Sequence, residues 1–201
     1  KLTQPGKAKQ MASPSTRRNI VAAADTLFYQ KGFEHTSFAD IAEAVAISRG
    51  NFYYHFKTKD AILDAVIDLR LTNTQAMLDQ WEKEGKEPKD RILCFINILI
   101  ANQANILLYG CPVGSLTTEL TKLNHHSKER ANEVFTLFRN WLRKQFSLLG
   151  LHKKSDALAM HVLARSQGVA TLASALHDEK FIRQEVRLMR DWLSSYTEGS
   201  I

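Results

Sequence analysis

"TSFADIAEAVAISRGNFYYHFKTKDAIL", residues 36–63, decides the predicted fold. Ser37 can cap a helix that extends to about Val45, and Asp40 follows the cap by three residues, as an aspartate variant of the capping box. After only two further residues, Ser48 can cap a second short helix that runs through Phe56. Two short helices joined by so tight a connection are typical of a helix-turn-helix.

The second of these helices has an outer face suited to DNA. Phe52 and Phe56 lie four residues apart and are predicted to face the core, so the polar residues face away. Arginine can bind guanine and asparagine adenine, hydroxyls and lysine can hold phosphates, and glycine lets the backbone come close. A purely structural interpretation stays open, with a capping serine, half-buried aromatics and a surface histidine. The candidate DNA-contacting residues are Ser48, Arg49, Gly50, Asn51, Tyr53, Tyr54, His55 and Lys59.

The remaining sequence predicts helices throughout. Residues 1–12 lack periodicity and carry three lysines, which predicts a flexible basic arm. A helix ending at Gly32 completes a three-helix domain over residues 13–57, and Thr58 can cap a long connecting helix to about Glu84. Because no strand-like alternation appears, residues 58–201 are predicted to form an all-α domain. Its further helices are predicted over residues 88–109, 113–123, 128–149, 155–176 and 178–196.

Composition and charge favour a globular protein with an anionic partner. Of 201 residues, 44% are apolar and 24% charged, and no run approaches a membrane span, so no membrane partner is predicted. Residues 1–60 hold nine Lys or Arg against five Asp or Glu, which accounts for four of the six net positive charges. Cys94 and Cys111 form no CxxC pair, and we therefore expect a reducing, cytoplasmic location.

The run quoted above closely resembles the signature of the TetR family of bacterial transcriptional regulators, including its Tyr53-Tyr54-His55-Phe56 element. The resemblance is strong over residues 15–65 and elsewhere extends only to the number and length of the helices. It implies that Thr36 and Ser37 hold phosphate, that Ser48, Arg49, Gly50 and Asn51 present the base-reading end, and that Tyr53, Tyr54, His55 and Lys59 contact the DNA backbone. Asn51 departs from the small or hydroxyl residue often found at its position.

A two-fold operator requires a two-fold protein, and the last two helices offer a candidate dimer interface. Their apolar residues recur at helical spacing, and with the family resemblance they predict a four-helix dimer interface. An intramolecular core would produce the same pattern. The predicted interface residues are Leu158, Val162, Val169, Leu172, Ile182, Val186, Met189 and Leu193.

The middle of the chain is predicted to bind a small-molecule effector. Asn97, Asn102 and Gln103 lie among aliphatic residues, where amides can orient an uncharged or weakly polar ligand, although each can equally cap backbone or face solvent. Cys111 lies at a helix break just before a helix N-terminus, where its thiol could react with electrophiles or oxidants. This segment is similar to the Gly-Cys element of a family subset that responds to electrophiles. An inert core thiol is the alternative.

The sequence lacks the motifs of an enzyme. His125 and His126 are adjacent, and adjacent helical residues diverge by about 100°, so they are poor joint metal ligands. No HExxH, nucleophile elbow, phosphate loop or GxGxxG occurs, and no cofactor or metal is predicted. The predicted function is a ligand-responsive repressor that binds a pseudo-palindromic, double-stranded operator as a homodimer. An effector-independent DNA-binding protein and a thiol-based sensor acting through Cys111 remain alternatives.

Overall fold

A computed structural model describes residues 14–197, and this part of the chain is helical with no strand, as predicted. The predicted basic arm, residues 1–12, lies outside the described residues. The chain divides into two compact units, of which the first ends at Val66 and the second begins at Ile67. The helices are α1 Pro14–Lys31, α2 Phe38–Ala44, α3 Arg49–His55, α4 Lys59–Glu84, α5 Pro88–Ala101, α6 Gln103–Tyr109, α7 Pro112–Lys122, α8 Lys128–Leu148, α9 Ser155–Leu176 and α10 Glu179–Thr197.

The first unit contains α1 to α3 and the first two turns of α4. Its core is apolar, and Phe52 and Phe56 are buried in it as predicted. The division at Val66 differs from the predicted boundary after Lys57, because Ile62, Leu63 and Val66 are themselves fully buried. The apolar face that begins α4 therefore completes the N-terminal core.

The core of the second unit consists mainly of side chains from α5, α8, α9 and α10. A polar network around the buried Gln145 lies beside it and holds the C-terminal end of α4. Gln145, which is fully buried, donates to Glu82 at 3.2 Å and accepts from Arg91 at 3.4 Å. Lys144 donates to Glu82 at 2.8 Å, and this hydrogen bond lowers the pKa of the Glu82 carboxyl. The shared carboxylate fixes α4 against α8.

The prediction of a single helix over residues 88–109 is wrong, because the helix breaks at Asn102. Asn102 has φ −106° and ψ 12°, and it ends α5 and begins α6. The Asn102 side chain donates to the carbonyl of Ile98 at 3.1 Å. Such a local side-chain bond to the backbone competes with continued helix.

The predicted dimer interface was assigned to the wrong face of α9 and α10, because most of its residues are buried within the protomer. Seven of its eight residues are buried in the core of their own chain, and only Leu172 is exposed, at 49%. Arg165 also donates to Glu185 at 2.8 Å, which ties α9 to α10 within the chain. Helical spacing identifies an apolar face but not what covers it, and here the intramolecular alternative applies. The buried seven are Leu158, Val162, Val169, Ile182, Val186, Met189 and Leu193.

Within residues 14–197, no single helix has the length and apolarity to cross a membrane. The bent pair formed by α5 and the segment 103–122, at 58° to each other, meets the same criteria by length and composition together. Ile92, Phe95, Ile96 and Leu99 of α5 nevertheless lie in the core of the second unit.

Candidate nucleic-acid interface and ligand cavity

The start of α2 is fixed by a complete capping box. The Ser37 hydroxyl accepts a hydrogen bond from the Asp40 amide at 3.2 Å. The Asp40 carboxylate accepts from the Ser37 amide at 2.8 Å and from the Ser37 hydroxyl at 2.6 Å. These bonds, with a smaller contribution from Lys31, lower the pKa of Asp40 to about 2. The capping interaction predicted from the sequence is confirmed.

The turn between α2 and α3 passes through a left-handed residue. Ala46 has φ 52°, in a region that disfavours L-residues by roughly 1 kcal/mol. The turn is closed by bonds from the Ala46 amide to Glu43 at 3.0 Å and from the Ile47 amide to Ala42 at 3.2 Å. Ser48 then caps α3 by accepting from the Asn51 amide at 3.3 Å. The helix-turn-helix geometry is thus held by local backbone bonds.

The outer face of α3 carries the residues that were predicted to contact DNA. Arg49 is exposed, Asn51 is half-buried, and a Cβ added at Gly50 would meet no heavy atom within 4 Å. Tyr53 and Tyr54 are 44% and 71% exposed. A surface depression of about 290 Å³ runs beside them and is lined by Ser37, Phe38, Ala39, Ala42, Arg49, Phe52 and Tyr53. This face combines hydrogen-bonding groups with a concave surface.

Aromatic packing sets the direction of Tyr53. Its ring meets the edge of Phe38 at 5.5 Å between centroids and an interplanar angle of 84°. Phe38 in turn contacts the buried Phe52 at 5.2 Å. The Tyr53 ring is therefore supported from α2, and its side chain remains partly exposed.

Of the residues predicted to contact DNA, Thr36 and Lys59 form hydrogen bonds within the protomer, and a ring nitrogen of His55 is buried. The predicted phosphate contact of the Thr36 side chain needs correction, because its buried hydroxyl donates to the carbonyl of Gly32 at 2.7 Å. Lys59 donates to the carbonyls of Phe33 at 3.0 Å and Glu34 at 3.2 Å. The Nε2 atom of His55 is buried, with no hydrogen-bond partner among residues 14–197.

The second unit contains a small, mostly apolar cavity of about 80 Å³. Asn102 and Cys111 line it as predicted, whereas Asn97 and Gln103 do not. Asn97 is half-buried, and the side-chain oxygen of Gln103 is buried without a partner in the described part of the chain. The lining residues are Phe95, Ile98, Leu99, Asn102, Ile106, Cys111, Pro112, Val113, Phe135, Phe138, Leu163, Ser166, Gln167 and Ala170.

The two cysteines have different surroundings. The Cys111 sulfur lies at the N-cap of α7 and accepts from the Gly114 amide at 3.4 Å. Burial raises the pKa of the Cys94 thiol, and the nearby Glu84 and Asp90 carboxylates add to that shift. Of the two thiols, only Cys111 lines the cavity.

The chain is similar to known regulators along most of its length. Residues 20–66 match the model of the bacterial regulatory proteins of the tetR family. Over 185 residues the chain is 34% identical to the HTH-type transcriptional regulator QacR of Staphylococcus aureus. The aligned region covers 90% of this chain and 95% of QacR. The chain belongs to the TetR family. It is a DNA-binding transcriptional regulator rather than an enzyme.

Further similarities agree with membership of the TetR family. An uncharacterised HTH-type regulator from the lacX 3′ region of Lactococcus lactis is 28% identical over 180 residues, with 88% of this chain and 92% of the relative covered. The crystal structure of a TetR transcriptional regulator from Legionella pneumophila superposes with a TM-score of 0.77 at 25% identity, and covers 92% of this chain and 98% of that one. The predicted all-α fold with an N-terminal helix-turn-helix is confirmed.

Sequence reasoning missed most of the cavity of this TetR-family chain. Ser166 and Gln167 lie on α9, where the small residues suggested only close packing. Phe135 and Phe138 lie on α8, whose apolar periodicity is typical of any core helix. Only Asn102 and Cys111 gave a local signal, because both stand at helix breaks.

The capping box predicts a specific pH dependence. Because the pKa of Asp40 is lowered from 3.8 to about 2, its stabilising contribution is complete above the unfolded value and is lost as the pH falls from about 4 to about 2. Asp40→Asn should therefore lower the thermal midpoint at pH 7, and its difference from wild type should shrink across that interval. Thermal denaturation followed by circular dichroism measures both. The exposed Glu43→Gln on the same helix is the control, and a difference that does not change with pH would contradict the assignment.

Proposed function

We propose that a dimer of this chain represses transcription by binding a pseudo-palindromic operator, and that a small molecule in the second unit releases it. The observation that carries this proposal is the polarity of α3. Phe52 is buried, while Arg49 and Gly50 are exposed at the capped N-terminal end and Tyr54 is exposed near the C-terminal end of the helix. Recognition helices of helix-turn-helix proteins contact base edges with their N-terminal residues.

The exposed groups have distinct roles on DNA. Arg49 can donate two parallel hydrogen bonds to guanine, and Asn51 can pair with adenine in the major groove. Ser37, Ser48, Tyr53 and Tyr54 supply hydroxyls for phosphate oxygens, which position the protein without reading sequence. The ammonium of Lys59 binds the carbonyls of Phe33 and Glu34. Its proposed role is to hold α3 in place rather than to contact DNA.

The dimer is proposed to form through the other face of α9, with the exposed side of α10 beside it. The exposed residues of α9 recur at helical spacing and are mostly small, which lets two helices approach closely. Leu172 and Leu188 add exposed apolar surface at 49% and 41%. The proposed α9 face comprises Met160, Ala164, Gly168, Thr171, Leu172 and Ala175.

The effector is proposed to occupy the cavity lined by α5 to α9. Its walls are mostly apolar with a few polar groups, which is the usual composition of a small-molecule site. Ligand entry would shift α4, and the two α3 helices of the dimer would lose the separation that successive major grooves require. An effector-independent DNA-binding protein would have no use for such a cavity.

The reading role of Arg49 is tested on DNA selected from a random pool. Arg49→Ala should weaken binding to the selected sequence by about 1–3 kcal/mol, roughly 5- to 150-fold, with little change on a shuffled sequence. Lys57 is exposed just after α3, where its ammonium can bind a phosphate, so Lys57→Ala should weaken both sequences alike and reduce the salt dependence. Competition binding at fixed salt measures these changes. Equal losses on both sequences for Arg49→Ala would contradict the proposal.

The dimer face is tested by placing a charge on it. A Cβ at Gly168 meets no heavy atom within 4 Å in the protomer, so Gly168→Arg should leave the fold intact. It should nevertheless convert the dimer to monomer in sedimentation velocity, because a charge would be buried at the interface. Asn140→Arg, which places the same charge on an exposed position of α8 outside the proposed face, is the matched control. A Gly168→Arg protein that remains dimeric would exclude this face.

Thiol sensing by Cys111 is a second candidate, favoured by the position of its sulfur in the cavity wall. N-ethylmaleimide should release wild-type protein and Cys94→Ser from the operator, because an adduct at Cys111 would fill the cavity. Cys111→Ser should stay bound under the same treatment, as measured by fluorescence anisotropy. Equal release of wild type and Cys111→Ser would rule out the sensor.

A further inference from the structure

The chemistry of the cavity restricts the charge of its ligand. Its fourteen lining residues include no Asp, Glu, Lys, Arg or His. A charged ligand would lose its hydration without gaining an ionic partner, and burial of an unpaired charge is strongly unfavourable. Three phenylalanines, Phe95, Phe135 and Phe138, contribute to the walls. The walls therefore suit an uncharged molecule with an apolar or aromatic body.

The amide of Gln167 in the wall is available to orient such a molecule. The Ser166 hydroxyl already donates to Leu163 at 2.8 Å, and the Asn102 amide donates to Ile98 at 3.1 Å. The Gln167 side chain has no hydrogen bond to another residue in the range 14–197. Its oxygen lies over Gly114, where an added Cβ would approach it to 2.4 Å. Gly114 therefore makes room for the Gln167 amide at this wall.

The size of the cavity requires a wall to move. Its volume of about 80 Å³ is well below that of an engineered apolar cavity of about 150 Å³ that holds benzene. Ligand pockets for larger molecules measure roughly 300–1,000 Å³. Because protein interiors are close-packed, a ring-sized ligand must displace residues that line the cavity.

One wall is attached directly to the connecting helix. Pro112 lines the cavity, and its carbonyl accepts a hydrogen bond from Nη1 of Arg70 at 2.6 Å. Arg70 belongs to α4, and an arginine donor to a carbonyl is a charge-assisted bond, stronger than a neutral one. A displacement of Pro112 therefore acts on α4 through this side chain.

We propose that the cavity takes a compact, uncharged, aromatic or apolar ligand, and that Arg70 is the positioning residue through which its entry shifts α4. This inference rests on the proposed function for its regulatory part. The chemical class of the ligand depends only on the cavity.

The ligand class is tested with three probes of the same shape: benzyl alcohol, benzoate and benzylammonium. At pH 7 and millimolar concentration, benzyl alcohol should raise the thermal midpoint of the full chain by about 3 °C or more, whereas the two ions should leave it within about 1 °C. Gln167→Leu should reduce the shift given by benzyl alcohol and keep the shift given by toluene. Stabilisation by the ions, or none by benzyl alcohol, would overturn the proposed ligand class.

The role of Arg70 is tested with Arg70→Met, which keeps an unbranched stem and removes the donor. Benzyl alcohol should still stabilise this variant but should no longer weaken its binding to selected DNA, whereas wild type should lose about tenfold or more. Asp68→Asn is the matched control, because it removes the exposed ion pair of α4 with Arg130 and leaves the Pro112 contact in place. Full release of Arg70→Met by the probe would overturn the role of Arg70.

Amide hydrogen exchange separates this inference from the proposed function. Benzyl alcohol should change exchange in residues 59–84 of wild type but not of Arg70→Met, with no DNA present. If wild type failed to select any DNA sequence, the proposed function would be contradicted. The thermal shifts would still test the ligand class, and the exchange changes would still test the coupling through Arg70. Equal exchange changes in both proteins would overturn the coupling.

Discussion

The ammonium group of Lys59 joins the first residue of α4 to the segment that connects α1 to α2. It donates to the carbonyls of Phe33 and Glu34 and lies 4.4 Å from the centroid of the Phe33 ring. A lysine suits this position because its compact charge carries three donors. Helices α2 and α3 lie between these two points in the chain, so the contact limits how α3 can be placed. The Thr36 hydroxyl strengthens the same junction through its bond to Gly32.

The second unit is held together by an apolar core and by polar contacts of α4. Its core is mostly apolar, and a polar network around Glu82 and Gln145 holds the C-terminal end of α4 against α8. The Arg70 contact with Pro112 lies earlier on the same helix and reaches the cavity wall. One helix thus has an end that is held against α8 and a segment that is bonded to a residue of the cavity wall. This arrangement gives a physical reason for coupling a small cavity to DNA binding.

Sequence reasoning was accurate where interactions are local. The caps at Ser37, Ser48 and Thr58 were found because each side chain bonds an amide three residues away. The burial of Phe52 followed from helical periodicity. The left-handed conformation of Ala46 could not be predicted from the sequence, because alanine ordinarily favours helix. Only the surrounding turn holds this residue at a positive φ.

The remaining features depend on tertiary contacts. Val162 and Ile182 have the spacing of an interface, but the sequence does not show that their own chain covers them. Thr36 was predicted to contact phosphate, but in the folded chain its hydroxyl donates to the carbonyl of Gly32. Arg70 and Pro112 meet across 42 residues of sequence, and no local pattern marks such a pair. The exposed face of α3 was therefore predictable from the sequence, whereas the cavity and the proposed dimer face required the structure.

The central claim is that the exposed face of α3 reads a DNA sequence. The most direct measurement is fluorescence anisotropy of the full chain on the DNA that flanks its own gene, against a shuffled fragment of equal length at fixed salt. The chain should bind the flanking DNA about a thousandfold or more tighter than the shuffled fragment. If the flanking DNA and a pool selected from random sequence both bound no better than the shuffled fragment, the claim would be contradicted.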